Sequence, residues 1–247
     1  MRFVEQLARN GAINGALAKD SLGISSLKEY DSFLRSGGFL TKSGEDLIKD
    51  PSLDDLQTAI ISLNTSDIAR LLMRIPTFHA YVELLTTHQR MPDWNPAPFM
   101  RRSTPYAYGA LAEISTLTIK IPGKGFCMTG ARPTVEQFTN DALAAYQGLS
   151  RSDQLVLTGS WLEELSFQFG YHPVVTRHML EVAYERGFIG RYYEGSTIDT
   201  RFEDHKLAVL EKDETGNPTV RDYHLYHGDF LHGGRASVRI QIESKSQ

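Results

Sequence analysis

Cations are the residues of this chain whose grouping suggests chemistry. Between Asn95 and Val135 stand Arg101, Arg102, Lys120, Lys124 and Arg132 against Glu113 alone, a local net charge of +4 in a chain whose formal net charge is −4. Clustered Lys and Arg neutralise phosphates, so this window is where a nucleic-acid backbone would be held. Lys124 lies between Gly123 and Gly125, which lets it approach a backbone closely, and Arg101-Arg102 precede a helical stretch. A second set follows later. His172 opens a helical run, Arg177 and His178 project from it, and Arg186 and Arg191 come after it. Glu181 and Glu185 on the same side would repel phosphates.

Other chemistries find less support. His224, His227 and His232 surround Asp229, but His224 and His227 are three apart, which puts them on opposite faces of a strand, and no metal site is expected. Asp229, followed by Glu243-Ser244-Lys245, resembles in order and spacing the metal-holding and water-activating residues of PD-(D/E)xK nucleases. That resemblance implies a metal-dependent nuclease as a remote alternative. In that family the Lys strand leads into a helix, whereas here Lys245 is followed by Ser246 and Gln247. Gly123-Lys-Gly125 is no P-loop, and neither Gly-x-Ser-x-Gly nor His-Glu-x-x-His occurs. The expectation is a protein that is not an enzyme and carries no cofactor.

The cations need elements to position them. In the stretch from Leu155 to Ile198, Trp161, Leu162, Leu165 and Phe169 recur at helical spacing, with Gly159-Ser160 as a start signal and Gly170 as a C-cap. The next helix starts at Pro173, with His172 just outside it, carries Thr176, Leu180 and Ala183 on one face and stops at Gly187. Phe188 and Ile189 restart the chain as a strand, and Arg191-Tyr-Tyr-Glu-Gly195 leads toward a hairpin. Two short helices joined by a Gly-containing turn form a helix-turn-helix. With the strand that follows, this stretch resembles the winged helix-turn-helix superfamily at the level of fold. By that resemblance His172–Arg186 takes the place of the recognition helix and the segment after Gly190 that of the wing.

Two earlier stretches resemble the same pattern. Ala16, Leu17, Leu22 and Ile24 lead through Gly23 into a helical run with Leu27, Tyr30, Phe33 and Leu34, ended by Gly37-Gly38. A short strand from Phe39 follows, and Thr41-x-x-Gly44-Glu45 suggests the opening of a new helix that contains Leu47 and Ile48. Asp50-Pro51-Ser52 is a turn ahead of a helix with Leu53, Leu56, Ile60 and Ile61, and Asn64 caps another with Ile68, Leu71, Leu72 and Ile75, interrupted at Pro76. Further on come a helix from Pro105 to Ser115 packing through Tyr106, Leu111 and Ile114, a hairpin over Leu117–Thr129 around Pro122–Gly125, and a helix from Thr134 to Tyr146. After Ile198 the chain is β-rich: Lys206–Leu210, a turn at Asp213–Pro218, Thr219–Tyr226, and a final strand over Ala236–Ile242.

The expected fold class is therefore α+β: mainly helical tandem winged-helix units with β-hairpin wings and a β-rich C-terminal extension. The units are 1–50, 51–148 (a helical connector and second unit) and 149–247. A length of 247 residues suits two or three small domains, and 41% hydrophobic with 23% charged residues excludes general disorder. The single Cys127 excludes an internal disulfide and suits a reducing compartment. No run of eighteen apolar residues occurs, so no membrane partner is expected and the expected location is the cytoplasm.

The resemblance implies DNA binding, as a regulator, an initiator or the DNA-engaging subunit of a larger complex, with double-stranded DNA as partner. The contacts would come from Arg101, Arg102, Lys120, Lys124, Arg132, His172, Arg177, His178 and Arg191. The acidic balance favours the alternative of a protein-interaction subunit, similar to the small winged-helix partners of chromosome-organising ATPases, with a protein partner or a homo-oligomer.

Overall fold

The computed structural model describes residues 12–14, 27–43, 46–88, 90–91, 104–121, 124–150, 156–195, 206–226, 230–231 and 239–244. The fold is mixed helix and strand, with small antiparallel sheets. It divides into two compact units, residues 1–84 with 211–219 and residues 85–210 with 220–247.

In the first unit β1 (Ala12–Asn14), helix α1 (Leu27–Ser36), β2 (Leu40–Ser43) and β3 (Asp46–Lys49) include a three-stranded antiparallel sheet of order β1-β3-β2. The helix expected to open at Thr41–Glu45 is replaced by β3. Leu47 is buried and Ile48 exposed, a period of two that suits a strand paired on both edges and not a helix face.

Helix α2 (Ser52–Ile61) follows a turn in which the Asp50 carboxylate accepts from the Ser52 N–H at 2.9 Å and from its hydroxyl at 2.6 Å. Those bonds hold the Asp50 carboxyl below its usual range. The core face of α2 is Leu53, Leu56 and Ala59, while Ile61 stays exposed: after Leu53 and Leu56 the helical period reaches Ala59. Helix α3 (Thr65–Leu72) is capped by Asn64, as expected, and Pro76 begins helix α4 (Pro76–His88). Phe78, Tyr81, Val82 and Leu85 of α4 are buried.

The second unit repeats the sheet order twice. Strand β4 (Arg90–Met91), helix α5 (Thr104–Ile114), β5 (Thr118–Ile121) and β6 (Gly125–Met128) give the order β4-β6-β5. Ala112 of α5 is fully buried, whereas the expected packing residues Leu111 and Ile114 are half-buried. Small residues win this face because Phe126 lies against it. A Cβ added at Gly109 would stand 2.3 Å from the Phe126 ring.

Next come helix α6 (Val135–Leu149), β7 (Val156–Leu157), helix α7 (Thr158–Phe169), helix α8 (Pro173–Glu185), β8 (Ile189–Gly195) and, after an insertion, β11 (Arg239–Ser244), in the order β7-β11-β8. Within the insertion β9 (Lys206–Lys212) and β10 (Pro218–His224) form a hairpin, its turn tied by the Asp213 side chain to the backbone N–H groups of Thr215 and Asn217.

All three of the three-stranded sheets described thus place the last strand in the centre, and a helix leads into the second strand of each. In the second unit one core runs from Ile119, Ile121 and Cys127 of the β5–β6 hairpin through Phe138, Trp161, Leu165 and Leu180 to Leu207, Tyr223 and Phe230. Trp161 is fully buried, and its indole N–H donates to the Ala142 carbonyl at 3.1 Å. Among the described residues no helix is long and apolar enough to cross a membrane.

Candidate nucleic-acid interface

The α7–α8 pair is set by local chemistry. Gly170 closes α7 with φ +69, a left-handed conformation that costs a side-chain-bearing residue more than glycine. Helix α7 begins at Thr158, one residue before its expected start signal. Gly159 lies inside the first turn, where a Cβ would meet the Tyr226 ring at 2.8 Å. His172 caps α8: its Nδ1 accepts from the Val174 N–H at 3.3 Å, and the ring is fully buried. A capping role, and not an outward contact, is therefore what His172 performs here. Helix α8 ends at Arg186 and Gly187, with the Phe188 N–H donating to the Ala183 carbonyl at 2.9 Å.

The turn between the helices is anchored from behind. The Tyr171 hydroxyl donates to the Asp141 carboxylate of α6 at 2.5 Å, and burial together with that carboxylate pushes the phenol above its ordinary pKa. On α7, Tyr226 of the insertion donates to Glu163 at 2.9 Å. Burial, with the Glu163 charge beside it, pushes its phenol up to about 12.

Lys124, and the segment that carries Arg132, each meet the helix pair near this turn. Lys124 occupies the β5–β6 turn, its N–H bonded to the Ile121 carbonyl at 2.9 Å, and its ammonium sits 3.5 Å from the ring centroid of Phe167 in the last turn of α7. Arg132 is exposed and follows Ala131, whose N–H donates to the Gly170 carbonyl at 3.2 Å.

The others are dispersed. Lys120 is half-buried on β5, and its backbone N–H donates to Glu113 at 3.3 Å. His178 is exposed on α8. Arg191 stands in β8, in register with Glu243 of β11. Arg177 turns inward: it donates to the Phe230 carbonyl at 3.3 Å and lies 4.7 Å from the Phe230 ring centroid and 5.9 Å from that of Tyr223. The outward face of α8 is left with His178, Glu181 and Glu185, beside Tyr184, which is 50% exposed.

Arg101, Arg102, His227, Asp229, His232 and Lys245 lie outside the described residues. Among those described, no group of three His, Cys, Asp or Glu side chains could hold a metal ion.

Two roles leave no mark in the sequence. Phe167, 48% exposed, reads as one more apolar residue of a helix, and nothing local marks it as the seat of a lysine. Glu113, counted against the cations, is buried and accepts from the backbone N–H groups of Lys120 and, at 3.2 Å, Ala208, so it joins β5 to β9. Compared with protein-family models, curated proteins and solved structures, the chain matches none.

Proposed function

We propose that this chain is a non-enzymatic DNA-binding protein built of tandem winged helices, serving as a regulator, an initiator or the DNA-engaging subunit of a larger complex. The shared sheet order supports the tandem reading: in each three-stranded sheet the first and second strands flank the third, as a winged helix requires, and the sheet of β7, β8 and β11 has two helices between its first two strands. The binding reading rests on one observation. Lys124, distant in sequence from the helix-turn-helix, has its ammonium on Phe167 in the last turn of α7, and the segment bearing the exposed Arg132 is bonded through Ala131 to Gly170 at the turn. Cations placed beside such a turn are what hold a phosphate backbone.

The test is fluorescence anisotropy of the purified chain with a short labelled duplex, titrated from low to physiological salt, with and without Mg²⁺. Binding that falls steeply with salt, without cleavage, is expected. The double variant Lys124→Ala/Arg132→Ala should lower the slope of log affinity against log salt by about 2, one for each phosphate that is no longer neutralised. Absence of binding at low salt to the duplex and to its separated strands alike would sink the reading, and cleavage with Mg²⁺ would turn attention to the nuclease alternative.

A protein partner is the second reading, favoured by the outward face of α8. Glu181 and Glu185 there repel phosphates, and the half-exposed Tyr184 suits a protein interface.

A further inference from the structure

We infer that the nucleic acid held at the α7–α8 turn is single-stranded, with one base stacked on Phe167 and its flanking phosphates on Lys124 and Arg132. This rests on the DNA-binding reading and names the form of strand at that site.

Three observations carry it. First, a duplex groove would be read by the outward face of α8, yet that face presents Glu181 and Glu185, and Arg177 is withdrawn onto Phe230 and Tyr223, leaving Arg186 at the C-terminal cap of the helix. Second, the cations are placed at the turn and not along α8. Third, beside Lys124 stands an exposed aromatic ring, Phe167, with the ammonium 3.5 Å from its centroid.

An exposed ring next to cations is the arrangement by which single strands are bound without regard to sequence, because every base offers a flat face. Stacking of one base on an aromatic ring is worth about 5- to 150-fold in affinity, whereas an ammonium over an exposed ring is worth about 2- to 5-fold. A base therefore displaces the Lys124 ammonium from the ring. The flexible lysine then swings to the phosphate, so the same residue shields Phe167 in the free protein and pairs with the strand in the complex.

The experiment compares labelled oligo-dT, oligo-U and a duplex of equal length at one salt concentration, using the intact chain and the variants Phe167→Ala and Phe167→Trp. Oligo-dT should bind tighter than the duplex. Phe167→Ala should weaken oligo-dT by roughly 10-fold and the duplex by less than about 2-fold, and Phe167→Trp should retain the single-strand affinity. Oligo-U should bind within about 3-fold of oligo-dT, since the ring meets the base and not the sugar.

Circular dichroism of both variants should be unchanged, because this side chain is half in solvent. Duplex binding that ignores Phe167, with oligo-dT no tighter, overturns the inference while leaving the DNA-binding reading standing. A strong dependence on the sugar also overturns it. Binding of neither form overturns both.

Discussion

Replacing Arg177 with alanine should destabilise the second unit, and the size of the loss can be worked from its seat. The guanidinium donates a long hydrogen bond to the Phe230 carbonyl, 3.3 Å, and faces the rings of Phe230 and Tyr223 at 4.7 and 5.9 Å. A hydrogen bond from a charged donor contributes about 1.5–3 kcal/mol, and the length of this one puts it at the low end or below. A cation over a ring adds about 0.5–1 kcal/mol where water still reaches it, and the more distant Tyr223 adds less. The half-buried stem loses packing as well. Together these give about 2 kcal/mol, a fall in Tm of roughly 4–8 °C for a unit of this size. Urea unfolding followed by circular dichroism measures it. Arg177→Lys keeps the charge but loses the planar fork, so its loss should be intermediate. The same variants should bind the duplex within about 2-fold of the parent, since the group is spent inside the protein. An unchanged urea midpoint with a large loss of DNA affinity would refute the assignment and return Arg177 to the DNA-facing surface.

The two other predictions concern helix packing and pH. Gly109→Ala puts a methyl group 2.3 Å from the Phe126 ring and should cost about 1–3 kcal/mol, whereas Gly148→Ala, with nothing within 4 Å, should be neutral or gain up to about 0.5–1 kcal/mol; paired urea midpoints decide. Tyr226, pushed up to about 12 by burial beside Glu163, contributes stability that is complete below the ordinary tyrosine value of 10 and is lost as the pH rises toward 12. Tyr226→Phe should flatten the decline of Tm across that window, and a decline as steep as the parent's would show that another group is responsible.

What could be read from the chain follows the range of the forces involved. The ends of α8 were legible because Pro173 and Gly187 act on their immediate neighbours, and so was the cap at Asn64. The strand β3 was not, because Thr41-x-x-Gly44-Glu45 carries a local helix-opening signal that pairing with β1 and β2 overrides. The site divides in the same way. That Lys124 and Arg132 are cations was evident, but not that they meet the helix-turn-helix, since Phe167 and Gly170 are remote from both in sequence. Arg177 looked outward on a helical projection because its seat, Phe230, is 53 residues away.

The insertion between β8 and β11 has a physical consequence for the whole helix-turn-helix. A short wing is an exposed loop, free to lie on a ligand. Here the insertion instead grips both helices: Tyr226 packs its ring over Gly159 and bonds Glu163 on α7, while Tyr223 and Phe230 take up Arg177 of α8. Arg177, seated on Phe230, is thereby lost as an outward charge that would offset Glu181 and Glu185. A helix face made acidic in this way is poorly suited to a groove lined by phosphates. Binding at the turn, through residues supplied by the β5–β6 hairpin and the loop before α6, does not depend on that face. The face bearing Glu181, Tyr184 and Glu185 can then meet a protein partner at the same time, so the two functional readings describe separate faces of one helix pair and can both hold.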